Sequence, residues 1–298
     1  MSATDLFLCD SHVHTRFSAD ADTPLEKVCR QALLLGLRAV CITDHVSFWA
    51  GDRNFPPFDY RSFKRAIDRC RDRFGHRLTI LMGVEVDYHS EHEAQIADYL
   101  ADKPFDFVLG SLHYLNGRHL LTEECFSQFA DLRTLMASYV EAVHEMVASE
   151  LFDAIAHLDW IKRGWHQYVD PATADGCLLT YAAREVEDLL EAVRESNIAL
   201  ELNASGYRRN VGQPFPNREI LVRYREAGGR LITVGSDAHR LPELAYAVAE
   251  ALELALSVGF EEVTVYRERQ PISIPIRAYE GDPLRDWAPA GRPQLEPL

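Results

Sequence analysis

Two histidines one residue apart, His12 and His14, close the short apolar run "LFLCDSHVH" near the start of the chain. Imidazole is a poor occupant of a dry core unless its nitrogens are satisfied, and it is the commonest metal ligand among side chains. Comparable groups follow later apolar runs: Asp44 and His45 in "VCITDH", Glu85 and Asp87 in "MGVEVDY", His113 in "GSLHY", His157 and Asp159 in "IAHLDW", Asn203 in "LELNAS", and Asp237 and His239 in "TVGSDAH". Residues i and i+2 of a strand point to one side. His12 with His14, and Asp237 with His239, therefore each offer two ligands in one direction. Mixed imidazole and carboxylate donors suit zinc, manganese or iron. More donors converge than one tetrahedral ion accepts, so the expectation is a multinuclear centre.

For these groups to meet, the segments that carry them must end on one face. The apolar runs alternate with helical periodicity: "TPLEKVCRQALLLGL", with Thr23 as N-cap and Pro24 at the first helical position, then stretches at about 59–74, 126–150, 178–196, 217–228 and 241–260. Near-continuous apolar strands between helices are what a parallel sheet covered on its outer face requires. Seven of them predict a barrel, whose loops at the carboxyl ends of the strands build the site. "EEVTVYRERQPISIPI" reads as a final extended strand or hairpin, and the tail from about 282 to 298 as loosely held. No linker divides the sequence, so residues 1–298 are expected to form a single domain.

Composition narrows the partners. With 31 basic against 46 acidic residues the formal charge is −15, which repels a polyanion over most of the surface, so nucleic acid is not expected. The six cysteines form no CxxC pair, and no apolar run approaches a membrane span. The N-terminus lacks a signal-peptide pattern, and the expectation is a cytoplasmic location. Oligomeric state is not readable.

"DSHVHTRFSAD", "ITDH", "GVEVDY", "GSLHYL", "AHLDWIK", "ELNASGYR" and "GSDAHR" together resemble the motifs of the PHP (polymerase and histidinol phosphatase) family, its histidinol-phosphatase branch above all, from about residue 9 to 240. The resemblance implies an α/β fold, a distorted TIM-like (β/α)7 barrel, with three divalent ions. It implies one ion on His12, His14, Glu85 and Asp237, a second on Asp20, His45 and His239, and a third on Glu85, His113 and His157. It further implies hydrolysis of L-histidinol phosphate in histidine biosynthesis. Clustered cations lower the pKa of a bridging water, so that a metal-held hydroxide can attack the phosphoryl group without a serine or cysteine nucleophile.

A phosphate ester also needs fixed cationic contacts, which arginine supplies bidentately. "DWIKR" offers Lys162 and Arg163, and "ASGYRRN" offers Arg208 and Arg209; Arg163 and Arg208 are the expected substrate contacts. Asp44 and Asp159 are expected to orient ligating imidazoles by accepting a hydrogen bond. Glu85 or Asp237 is a candidate to pass a proton to the leaving alkoxide. His76, His89, His92, His119, His144 and His166 read as solvated or structural. Phe17, Phe48, Trp49, Tyr88, Tyr114, Trp160 and Trp165 lie near the mouth, and the long connection "DHVSFWAGDRNFPPFDY" is the candidate for substrate selection. Two alternatives stand beside the phosphomonoesterase: a relative acting on other small phosphoesters, nucleotides or nucleic-acid ends, and a catalytically silent metal-binding module.

Overall fold

Short runs rich in β-branched and apolar residues pair in chain order. They are β1 (Cys9–Val13), β2 (Ala39–Ile42), β3 (Thr79–Asp87), β4 (Phe107–Ser111), β5 (Ala154–Ile155), β6 (Ala199–Asn203) and β7 (Ile232–Gly235). The computed structural model describes residues 6–169, 178–209, 211–277 and 284, the side chains of residues 165 and 166 excepted. Every neighbouring pair of these seven strands is parallel. A two-residue segment, His45–Val46, adds to β3 beside β2.

The ends of the sheet meet where the ligands are. The Asp237 N–H donates to His12 O at 2.8 Å and the His14 N–H to Ala238 O at 2.9 Å, joining β1 to the exit of β7. Asp10, fully buried, reinforces the seam: its carboxylate accepts from the Ser236 N–H at 2.8 Å, the Ser236 hydroxyl at 2.6 Å and the Ala245 N–H at 2.9 Å. The result is the nearly closed seven-stranded barrel that the sequence predicts.

Helices cover the outside. They include Leu25–Leu34, Tyr60–Phe74, Leu132–Ala148, Leu178–Glu195, Arg218–Glu226 and Val248–Val258, and each lays a buried apolar stripe on the sheet. Asp59, Asp131 and Asn217 cap three of them by accepting a backbone N–H. Thr23 does not cap the first helix as expected. Pro24 is the capping residue there, and the Thr23 hydroxyl instead donates to Asp22 at 3.3 Å.

The expected final hairpin is present, with Glu262–Arg267 antiparallel to Gln270–Pro275. It closes the amino end of the barrel, where Tyr266 stacks on Phe107 at 5.1 Å and Arg269 pairs with Asp153 at 3.0 Å. Among the described residues no helix is long and apolar enough to cross a membrane. Cys9, Cys29, Cys41, Cys70 and Cys125 are buried free thiols. Cys177 and the tail from 282, apart from Leu284, lie outside the described residues.

Candidate metal centre

Glu85, fully buried near the exit of β3, stands at the middle of the cluster. Its Oε2 lies 3.1 Å from His12 Nε2, 3.3 Å from His14 Nε2 and 3.0 Å from His45 Nδ1. Its Oε1 lies 3.1 Å from His157 Nε2 and 3.7 Å from His113 Nε2. On the β7 side Asp237 Oδ1 is 3.5 Å from His14 Nε2 and 3.3 Å from His239 Nδ1. Asp20 Oδ2 reaches His239 Nε2 at 3.3 Å and His45 Nε2 at 3.8 Å. All nine expected ligands are thus brought together at one end of the barrel.

These contacts fit cations better than hydrogen bonds alone. His12 and His14 face each other Nε2 to Nε2 at 3.0 Å, and His45 and His239 do so at 3.4 Å. Two unprotonated nitrogens repel in that arrangement, whereas donors about 2.0–2.1 Å from one zinc ion stand roughly 3.3 Å apart. Asp20 Oδ1 is buried with no hydrogen-bond partner among the described residues. Three sets of donor atoms each fall within 4.8 Å of one another: His12, His14 and Asp237; His14, His45 and His239; and His45, Glu85 and His113. The cluster therefore fits divalent metal ions.

Protein charges alone pull adjacent groups apart. Burial would neutralise His12, but Glu201, Glu85 and Asp237 outweigh it and hold it well above the usual value. Burial and the neighbouring His239 and His45 hold His14 well below it. Burial opposes ionisation of Glu85 and Asp237, yet the surrounding imidazoles, His45 and His12 for Glu85 and His12 and His14 for Asp237, keep both carboxyls well below the carboxylate range. His157 and Asp237 also adopt positive φ, 29° and 54°, in the region that non-glycine residues avoid. The chain holds strained backbone at two strand exits in order to aim these side chains.

A layer behind the ligands sets their protons. Glu201 Oε1 sits 2.7 Å from His12 Nδ1, while its Oε2 accepts from the His157 N–H at 2.8 Å. A proton on His12 Nδ1 leaves Nε2 bare toward the cluster. Ser18 acts similarly for His14: its hydroxyl donates to Asp44 at 2.7 Å, so its oxygen is free to accept from His14 Nδ1–H at 3.2 Å and the His45 N–H at 2.9 Å. Asp87 accepts the His113 N–H at 3.0 Å. Gly235 makes room for this layer, since a Cβ there would stand 2.3 Å from His12 Cβ and 2.7 Å from Glu201 Oε1.

Three expectations need correction. Asp44 accepts no hydrogen bond from an imidazole among the described residues; its oxygens are taken by Thr15 and Ser18, and it acts on His14 through Ser18. Asp159 does not orient His157, because it pairs with buried Lys162 at 2.7 Å and accepts the Asn217 N–H at 3.2 Å. Arg208 does not present its terminal nitrogens to a substrate: they donate to the Ser236 and Asp237 carbonyls, both at 2.5 Å, and brace the ligand-bearing turn. Arg209, one residue on, lines the cleft instead.

The cleft above the cluster has a volume of about 390 Å³ and is lined by Asp20, His45, Glu85, His113, His157, Asp237 and His239 together with Arg163, Arg209, Asp52, Tyr114 and His119. Arg163 stacks over Trp160 at 4.8 Å and has no ion-pair partner among the described residues. Burial and then Arg209 lower its guanidinium to about 10, with Asp237 pulling the other way. His119 was expected to be structural, yet it lines the cleft from the hairpin formed by Tyr114–Leu115 and Arg118–His119. Glu201 was not singled out; its one signal was its i−2 relation to Asn203 on β6. Trp165 has its side chain outside the described residues.

The model of the PHP domain matches residues 10–205. The probable histidinol-phosphatase of Deinococcus radiodurans is 30% identical to this chain over 270 residues, covering 89% of this chain and 99% of that protein. The histidinol-phosphatase of Lactococcus lactis is 25% identical over 264 residues, covering 86% and 93%. The crystal structure of histidinol phosphate phosphatase from Lactococcus lactis, complexed with zinc, L-histidinol and phosphate, matches with a TM-score of 0.77 at 23% identity, over 90% of this chain and 99% of that one. At that identity the structural match establishes a common fold.

Proposed function

The chain belongs to the PHP domain family, and from that premise we propose that it is a single-domain, metal-dependent phosphomonoesterase that hydrolyses L-histidinol phosphate to L-histidinol and phosphate. The observation that carries the reading is the cleft, where seven of the nine metal-capable side chains, with His12 and His14 beneath them, meet beside Arg163 and Arg209, which make no ion pair among the described residues. The curated relatives of Deinococcus radiodurans and Lactococcus lactis, named as histidinol-phosphatases and matched over most of their length, support the substrate.

Three divalent ions are the reading for the centre. His12, His14, Glu85 and Asp237 would hold one, Asp20, His45 and His239 another, and Glu85, His113 and His157 the third. When bound, such ions supply Lewis acidity toward phosphoryl oxygens and acidify water toward neutrality.

The remaining work falls to the chain itself. Arg163 and Arg209 bind and orient the phosphate, with Arg163 held in place by its stack on Trp160. Glu201 and Ser18 keep protons on the outer nitrogens of His12 and His14. Of the two carboxyls considered for proton transfer, Asp237 is the reachable one, its side chain 11% exposed against 1% for Glu85. Asp237 accepts the proton that attacking water releases and returns it to the departing alkoxide.

The test is phosphate release by the purified chain with added manganese, comparing kcat/KM for L-histidinol phosphate with nucleotides, sugar phosphates and a short single-stranded oligonucleotide. A preference for L-histidinol phosphate of several orders of magnitude supports the reading. Faster turnover of another ester would reassign the substrate, and turnover that survives exhaustive chelation would overturn the metal chemistry.

A further inference from the structure

Outside the ligand cluster, the cleft carries two poles whose charged groups make no ion pair among the described residues; the neighbouring Arg53 also lines the cleft but pairs with Asp20 at 3.9 Å. One pole is the cationic pair Arg163 and Arg209. The other is Asp52, on the long connection between β2 and the helix Tyr60–Phe74. Asp52 is only 9% exposed, lines the cleft and has no ion-pair partner among the described residues. Its Oδ1 accepts the Asn54 N–H at 2.6 Å, and Asn54 in turn accepts the Ala19 N–H at 2.8 Å, so its own loop holds the carboxylate in place. Burial makes this carboxylate costly to keep charged, and a ligand cation beside it lowers that cost.

An aromatic wall joins the poles. From Trp160, under Arg163, the rings run to His119 at 5.8 Å, to Tyr114 at 5.1 Å and to Trp49 at 4.4 Å. The wall reaches the anionic pole at Trp49, whose carbonyl accepts the Asp52 N–H at 3.0 Å.

We propose that Asp52 is a specificity-determining residue that receives the cationic group of the substrate, so that the cleft selects phosphomonoesters bearing a protonated amine or imidazole over neutral or wholly anionic esters. The inference rests on the phosphatase reading above and names the part of the substrate that the metal centre does not touch.

The test measures kcat/KM of the metal-loaded full chain, wild type and Asp52→Asn, on two pairs of esters. L-histidinol phosphate is compared with phenyl phosphate, which keeps a ring but no cation, and 2-aminoethyl phosphate with ethyl phosphate. The substitution retains an acceptor for the Asn54 N–H while removing the charge. Both preferences are expected to fall roughly tenfold or more, through KM rather than kcat. A role confined to holding the loop would lower both members of each pair together, and that result, or preferences kept within about twofold, overturns the proposal. If wild type ignores L-histidinol phosphate, the substrate reading fails separately. The second pair then decides: a preference for the amino ester that Asp52→Asn abolishes upholds the charge selection, and equal handling by wild type overturns it.

Discussion

Glu201→Gln is nearly isosteric and should still disable the centre. Glu201 has two acceptor oxygens, one at 2.7 Å from His12 Nδ1 and the other accepting the His157 N–H at 2.8 Å and the Asn203 side-chain amide at 3.1 Å. Glutamine has one. The His157 N–H is a fixed donor, so the amide oxygen must stay there and the NH2 must turn to His12. His12 Nδ1 then has to accept, which moves its proton to Nε2, the nitrogen that faces His14, Glu85 and Asp237. A protonated nitrogen cannot ligate a cation. Losing a hydrogen bond to a charged group costs roughly 1.5–3 kcal/mol, equivalent to about a 10- to 150-fold loss of metal affinity. Chelator competition gives the affinity, and phosphate release at saturating metal gives the activity. A variant that binds metal within about threefold of wild type and turns over at the wild-type rate would refute the tautomer argument.

The two arginines should fail in different ways. Arg163→Ala should raise KM for the phosphoester roughly 10- to 100-fold at full metal content, whereas Arg208→Ala, which unties the Ser236 and Asp237 carbonyls, should lower metal content itself; elemental analysis beside kinetics separates them, and identical phenotypes would sink the assignment. Gly235→Ala places a methyl 2.3 Å from His12 Cβ. His12 must then move by about 1 Å, at a cost of ~1–3 kcal/mol in stability and on the order of a hundredfold in kcat. Thermal unfolding and kinetics that match wild type would show that the pocket is looser than the contacts imply. Burial lifts the Asp153 carboxyl to about 6, against the pull of Arg269. The folded chain thus keeps a proton that the unfolded chain loses near pH 4, and the Asp153 contribution to stability, full below about pH 4, is lost as pH rises through about 6. Relative to Asp153→Asn, wild type should lose roughly 1–3 kcal/mol across that window in paired denaturant titrations; a pH-independent difference contradicts the argument.

Strand exits were legible because their logic is local. An apolar run followed by ligands at i and i+2 specifies the strand and, for His12 and His14, the side they face; Asp237 and His239 lie past the end of β7, with Asp237 at φ 54°, and converge through that turn rather than by strand alternation. What lies behind the ligands was not legible, because it depends on register between strands far apart in the chain. Glu201 reads as an interruption of an apolar strand until β6 is set beside β5 and β7. Arg208 and Arg209 are adjacent cations in one motif, and only the short turn Ala204–Arg208 decides which faces the carbonyls of β7 and which the cleft. Asp159 fell to the wrong partner for a similar reason: buried Lys162, three residues on, claims it first. His119 looked like a turn residue, and the hairpin that carries it over the cleft is only two residues long on each side.

Closure of the barrel at its ligand-bearing end joins the first strand to the last. The backbone bonds from Asp237 to His12 and from His14 to Ala238 span most of the sequence, and the same seam lies between the donors of His12, His14 and Asp237. A chain emerging from the ribosome therefore exposes His12 and His14 first and carries them bare until β7 has been made. Metal uptake at that seam is coupled to completion of the fold, since no shorter piece contains both halves of the donor set. Long-range closure of this kind is slow, and the metal stoichiometry of a freshly made sample becomes a clock for its own assembly.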